Sequence, residues 1–232
     1  MQNRRNALKN TAFLKDSKNK SEFIILACMQ DKCGYIEGST DMRTSEIIRR
    51  TNETDIALTL SLDGGDIGIS TGIGFFDHML NSFAVHSGFG LTVKAIGDIT
   101  VDGHHTVEDV GIVLGRAFNE AIGDKAGIKR FSSCFLPMDE TLAFAAVDIS
   151  GRPFLKYDAQ MNWQMIGDYD ASLTEEFFRA LATNAGITMH VKLEYGKNTH
   201  HCVEAIYKAV AHAMRLACKQ TGGEILSTKG VL

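Results

Sequence analysis

The chain has 232 residues, 44% of them hydrophobic and 22% charged, with a formal net charge of −4. That is enough apolar material for one well-buried domain or two small ones, and the negative balance gives no electrostatic reason to expect nucleic acid. No apolar run approaches the roughly 20 residues needed to cross a bilayer, and Cys28, Cys33, Cys134, Cys202 and Cys218 form no CxxC, so a cytoplasmic protein without a membrane partner is expected.

The first 41 residues are rich in Lys, Asn and Ser around one apolar run from Phe23 to Met29. Residues 1–41 are read as a flexible extension, a weak organelle-targeting segment or an upstream start. The organised part is expected to begin near Met42, where Ile47 and Ile48 look strand-like. Ile56, Leu58, Leu60 and Leu62 alternate with smaller or polar residues, the period of a half-buried strand. Asp63 to Asp66 read as a hairpin turn, with a second strand through Ile67 and Ile69. Phe75, Phe76, Met79, Leu80 and Phe83 fall at helical spacing, which puts Asp77 and His78 in the first turn of a helix reaching about His86. Leu91, Val93 and Ala95 resume a strand, and Asp102–Gly103 turn into a helix running toward Gly123.

The second half repeats that order. Thr141 to Asp148 and Pro153 to Tyr157 read as strands, a helix begins near Thr174, Ile187 to Leu193 alternate as a strand, and a last helix is expected to end at Gly222–Gly223. The order strand, strand, helix, strand, helix thus occurs twice, with a period of about 96 residues. The expected fold is α+β, a duplicated half-domain (42–131 and 132–232) whose two sheets sandwich a helical layer.

Each last helix opens on the same phrase: His104, His105, Thr106, Val107, Glu108, and His200, His201, Cys202, Val203, Glu204. Chance placement of the histidines gives only about 0.3 adjacent pairs in such a chain. On a helix the first His and the Glu share a face at i and i+4, while the second His points about 100° away, so one phrase can reach two metal ions. Imidazole and carboxylate together suit first-row ions such as Mn²⁺, Fe²⁺ or Zn²⁺. His78 precedes His104 by 26 residues and Glu176 precedes His200 by 24, so each half offers one further donor. For Glu176 a plain helix-stabilising role in the first turn stays open, with His190 as the alternative ligand. Arg130, Arg152, Lys208, Ser227 and Lys229 suit a phosphate.

Gly72 to Met79, Asp102 to Asp109, Lys197 to Ala205 and Ser227 to Gly230 together resemble the imidazoleglycerol-phosphate dehydratase family of histidine biosynthesis, over about residues 44–232. The resemblance implies a hydro-lyase converting D-erythro-imidazole glycerol phosphate to imidazole acetol phosphate through a metal-bound imidazolate. It implies two Mn²⁺ per active site, assembled between the subunits of an octahedral 24-mer. By it His78, His104, His105, Glu108, His200, His201 and Glu204 are metal ligands, with Glu176 where many members have His. Glu53, Glu108 and Glu204 are its catalytic carboxylates, and Glu53, His86, Arg130, Arg152, Lys208, Ser227 and Lys229 its substrate contacts. A dinuclear hydrolase and a metal-storage scaffold share the ligands but leave the other motifs unexplained.

Overall fold

The structure, a computed structural model, describes residues 42–162 and 164–230; the expectation for residues 1–41 lies outside them. In chain order the elements are β1 (Thr44–Arg50), β2 (Thr54–Ser61), β3 (Ile67–Ser70), α1 (Gly74–Ser87), β4 (Gly90–Gly97), α2 (His104–Ile122), β5 (Phe131–Met138), β6 (Thr141–Asp148), β7 (Phe154–Asp158), β8 (Met165–Ile166), β9 (Tyr169–Asp170), α3 (Leu173–Ala185), β10 (Thr188–Tyr195) and α4 (Thr199–Ala217).

Two four-stranded sheets have the orders β1-β2-β4-β3 and β5-β6-β10-β7. The same topology occurs twice: the first, second and fourth strands of each half run antiparallel, and the third adds in parallel beside the fourth. Alternation decides which face is buried. On β2 and β4 the pairs Ile56–Ala95, Leu58–Val93 and Leu60–Leu91 lie on one face and all six side chains are buried. Met189–Val147, Val191–Ala145 and Leu193–Ala143 do the same on β10 and β6. Helices α1 and α2 cover the first sheet, α3 and α4 the second, and the halves meet helix to helix, α2 on α3 and α1 on α4. The α+β sandwich with its helical layer inside is as the periodicities imply.

Four details differ from the sequence expectation. Asp63–Asp66 is not a hairpin, because β3 pairs in parallel with β4, not with β2. The segment crosses the start of β4, where a Cβ on Gly90 would lie 2.8 Å from the Gly65 Cα, so only bare backbone fits. Each four-stranded sheet therefore has three strands ahead of the first helix of its half, β5 being the one overlooked in the second half. Its Phe131, Ser133 and Phe135 are exposed, so the period-two signal is blurred by aromatics on the outer face. A short β8–β9 hairpin precedes α3, and α4 stops at Ala217, several residues before the glycines expected to end it.

The α2–α3 contact is close because α2 presents glycines one turn apart. A Cβ on Gly111 would meet the Phe177 carbonyl at 2.7 Å, and one on Gly115 the Leu181 carbonyl at 2.7 Å and the Ala185 nitrogen at 2.9 Å. Helix propensity alone favours Gly115→Ala by up to about 1 kcal/mol, whereas overpacking against backbone costs about 1–3 kcal/mol. Backbone cannot rotate away, so the clash should win and Gly115→Ala should lower the thermal midpoint. A raised midpoint in scanning calorimetry would show that the two helices have room to separate.

Candidate active site and metal centre

The contact between α1 and α4 brings donors from the two halves together. His78 Nε2 lies 3.7 Å from Glu204 Oε2 and His200 Nε2 lies 3.1 Å from the same oxygen. One ligand atom from each of these three residues lies within 4.8 Å of the others, a set of two imidazoles and a carboxylate that fits a first-row divalent ion. Phe75 walls the cluster, its ring 5.0 Å from that of His200 and 6.3 Å from that of His78. Asn198 caps α4 by accepting the His200 backbone N–H at 3.0 Å, which fixes where the phrase enters the helix.

Glu204 is buried and still charged. Burial is the largest influence and pushes its pKa up, but the hydrogen bond and charge of Lys208, followed by His78 and His200, outweigh it and hold the carboxyl below its usual value. The Lys208 Nζ is 2.7 Å from Glu204 Oε1. Lys208, expected at a phosphate, is thus committed to this carboxylate in the single chain.

The first phrase is arranged differently. His104 Nε2 is 3.6 Å from Glu108 Oε2, as the i,i+4 spacing requires, but among the described residues no third donor completes that pair into a cluster. Glu176 Oε2 lies 3.5 Å from Arg179 Nε on its own helix. His190 sits on the outer face of β10, its ring 5.9 Å from that of Phe154.

The second histidine of each phrase is gripped at Nδ1 by a carboxylate that the sequence reading passed over. His105 bonds Asp98 at 3.0 Å and His201 bonds Glu140 at 2.8 Å. Each bond, the leading cause in both cases, raises the imidazole pKa. Glu140 itself is pushed down to about 2, first by the Asn198 backbone N–H and then by His201. With Nδ1 held, Nε2 is the nitrogen left for a ligand, an arrangement common around bound metals. Glu140 is 61 positions from His201, so no local pattern could have pointed to it, although Asp98 stands seven before His105.

Glu53 sits in the β1–β2 turn, its carboxylate 3.8 Å from His105 Nδ1. The turn is tied to α2 through Thr54 Oγ1, which donates to buried Asp109 at 2.5 Å, while Arg49 bonds the other oxygen of Asp109 at 2.9 Å. Arg130, Arg152, Ser227 and Lys229 do converge, lining a cavity of about 680 Å³ with Phe131 and Leu226. Arg130 is anchored there by Asp148 at 2.8 Å and by the Leu226 carbonyl, and Arg152 reaches Asp148 at 3.5 Å. His86 does not line this cavity. It points at α4, where its Nδ1 is 3.1 Å from His212 Nε2, and burial, then Lys208 and His212, lower its pKa.

Fold and site define a class, a duplicated α+β protein whose inter-half helix contact carries a donor set of metal-ligand type. Residues 71–214 match the family model described as imidazoleglycerol-phosphate dehydratase. The chain is 53% identical over 193 residues to the imidazoleglycerol-phosphate dehydratase of Acetivibrio thermocellus, covering 82% of this chain and 99% of the relative. It is 55% identical over 188 residues to that of Alkaliphilus metalliredigens, covering 79% and 96%. The crystal structure of the Pyrococcus furiosus enzyme matches with a TM-score of 0.72 at 38% identity, covering 80% of this chain and 100% of the other. That from Staphylococcus aureus matches with a TM-score of 0.69 at 42% identity, covering 75% and 97%. The chain belongs to the imidazoleglycerol-phosphate dehydratase family, and it is a hydro-lyase.

The ligand assignment of the second donor set turns on Glu176. If its carboxylate turns from Arg179 to join His104 and Glu108 when metal is present, Glu176→Ala should lower metal content and Glu176→His should restore it, as measured by elemental analysis. Full metal content in both variants would leave Glu176 as a first-turn residue.

Proposed function

We propose that this chain dehydrates D-erythro-imidazole glycerol phosphate to imidazole acetol phosphate, in L-histidine biosynthesis, with two Mn²⁺ per active site. The observation that carries the proposal is the meeting of His78, His200 and Glu204 across the two halves, in a chain more than half identical to dehydratases over nearly their whole length. The three described cysteines are free, which suits a reducing cytoplasm.

The reaction removes the hydroxyl on the carbon attached to the ring and a proton from the neighbouring carbon, leaving an enol that tautomerises to the ketone. His78, His200 and Glu204 would hold one Mn²⁺. His104, His105, Glu108 and His201, with Glu176, would complete the remaining coordination. Bound Mn²⁺ supplies Lewis acidity that favours the anionic form of the imidazole ring and of the oxygen it contacts. Lys208 keeps Glu204 charged and therefore a ligand. Arg130, Arg152, Ser227 and Lys229 bind the phosphate end in their cavity, with Asp148 holding the Arg130 guanidinium in place. Glu53 moves the proton between the substrate carbon or hydroxyl and solvent.

A single chain leaves the His104–Glu108 pair without a third donor among the described residues. We propose that a neighbouring copy supplies the rest, within a homo-oligomer for which the expected form is the octahedral 24-mer. Metal binding then contributes free energy only to the assembled state.

Two measurements test this reading. Glu53→Gln keeps the shape of the side chain and removes its ionisable group, so turnover of imidazole glycerol phosphate should fall about 10²- to 10⁴-fold with Mn²⁺ content retained. Turnover within a few-fold of the parent would remove Glu53 from the mechanism. Exhaustive chelation should abolish activity and lower the mass seen by light scattering; an unchanged mass would place all the ligands of each ion within one subunit.

A further inference from the structure

The two halves use one turn for different purposes. In each sheet a Glu-Thr pair stands at the start of the second strand: Glu53–Thr54 at β2 and Glu140–Thr141 at β6. Each glutamate faces the second histidine of its own half's phrase. Glu140 is bonded to His201 at 2.8 Å, whereas Glu53 stops 3.8 Å short of His105.

Asp98, at the end of β4, makes the difference. It occupies the His105 Nδ1 with both oxygens, at 3.0 and 3.2 Å. The residue at the matching place in the second half, one past Gly196 as Asp98 is one past Gly97, is Lys197, whose side chain has no acceptor to offer. With no acceptor from that strand, Glu140 takes the imidazole itself. It also accepts the backbone N–H groups of Lys197 and Asn198 at 3.2 and 2.8 Å. A carboxylate with that many donors is fixed in the scaffold and not available to move a proton. Glu53 is anchored only through its backbone, its N–H to Thr51 Oγ1 at 3.1 Å and its carbonyl to the Asp98 N–H at 3.1 Å. Its carboxylate accepts no hydrogen bond among the described residues and is half exposed.

We infer that Asp98 is a positioning residue: by holding the Nδ1–H of His105 it keeps that imidazole from capturing Glu53, whose carboxylate stays free to face the substrate. The inference rests on the reading of Glu53 as the proton-transfer group. It differs from the usual support of a ligand histidine in predicting that the effect of Asp98 runs through Glu53.

A double-mutant cycle tests it. Asp98→Ala, Glu53→Gln and the double variant are compared for kcat, KM and Mn²⁺ content, and the Asp98→Ala protein is crystallised. In Asp98→Ala, Glu53 should close on His105 to hydrogen-bond distance, as Glu140 does on His201. Its kcat should fall about 10- to 100-fold, short of the roughly 10²- to 10⁴-fold for losing a positioned proton-transfer group outright, with KM and Mn²⁺ content unchanged. In the Glu53→Gln background the same substitution should change kcat less than about twofold, and Asp98→Asn, which still offers an oxygen to Nδ1–H, should recover most of the loss. Equal losses in both backgrounds, a parallel fall in Mn²⁺ content, or a Glu53 carboxylate that stays away from His105 in the crystal would each overturn the role of Asp98. If Glu53→Gln alone keeps full turnover, it is the reading of Glu53 that fails, and the inference falls with it.

Discussion

The constraint on which this molecule depends is that neither half can bury its helices alone. Each sheet is covered on one face by two helices, and the outward sides of those helices are apolar: Phe76, Phe83, Phe177, Phe178, Leu181 and Tyr207 are all buried. A helix pair left on a single sheet would expose that surface, at about 25 cal/mol for each Å² returned to water. The halves therefore close on each other, α1 on α4 and α2 on α3. The site follows from the closure, because His78 belongs to one half and His200 and Glu204 to the other. Stability and the donor set come from the same surface.

Placing donors at that surface carries an electrostatic difficulty, since removing a carboxylate from water costs several kcal/mol unless it is compensated. The answer lies in the spacing of α4. His200, Glu204 and Lys208 follow one another at four-residue intervals and so share one face, and the Lys208 ammonium sits 2.7 Å from the Glu204 carboxylate. Glu204 is thus charged before any cation arrives, and a cation would find a carboxylate that needs no deprotonation. The same ladder explains the fate of His86, whose neighbours across the helix contact are Lys208 and His212. Its place is in the α1–α4 seam and not among the residues lining the basic cavity.

What was legible in the sequence was what repeats locally. The alternation of Ile56, Leu58 and Leu60, the helical spacing of Phe76, Met79 and Phe83, and the double HHxxE phrase each state their own geometry within a few residues. So did the grouping of Arg130, Arg152, Ser227 and Lys229, though only through family resemblance, since they are brought together by the sheet edge and the C-terminal segment. The failures share a cause, which is partnership over long distances. Asp63–Asp66 has hairpin chemistry, yet its strand pairs beyond β4. Glu140 looks like any acidic turn residue until the fold delivers His201 to it, 61 positions on.

The duplication also shows which parts of the scaffold had to stay fixed while the chemistry diverged. Before each phrase stands a glycine at or just past the end of a strand, Gly97 and Gly196, and the third residue of the phrase is pressed against it. A Cβ on Gly97 would collide with Thr106 Oγ1, and one on Gly196 would lie 2.5 Å from Cys202 Sγ. Thr106 and Cys202 are equivalent places in the repeat, so both helices dock on bare backbone at the same point. That docking brings the second histidine of each phrase within reach of the turn ahead of the second strand, as His105 is of Glu53 and His201 of Glu140. Helix placement is therefore common to the two halves, and at this point of docking they differ in which carboxylate holds the imidazole. A change of a few side chains at one strand end, with no change of fold, is enough to leave one glutamate structural and the other free.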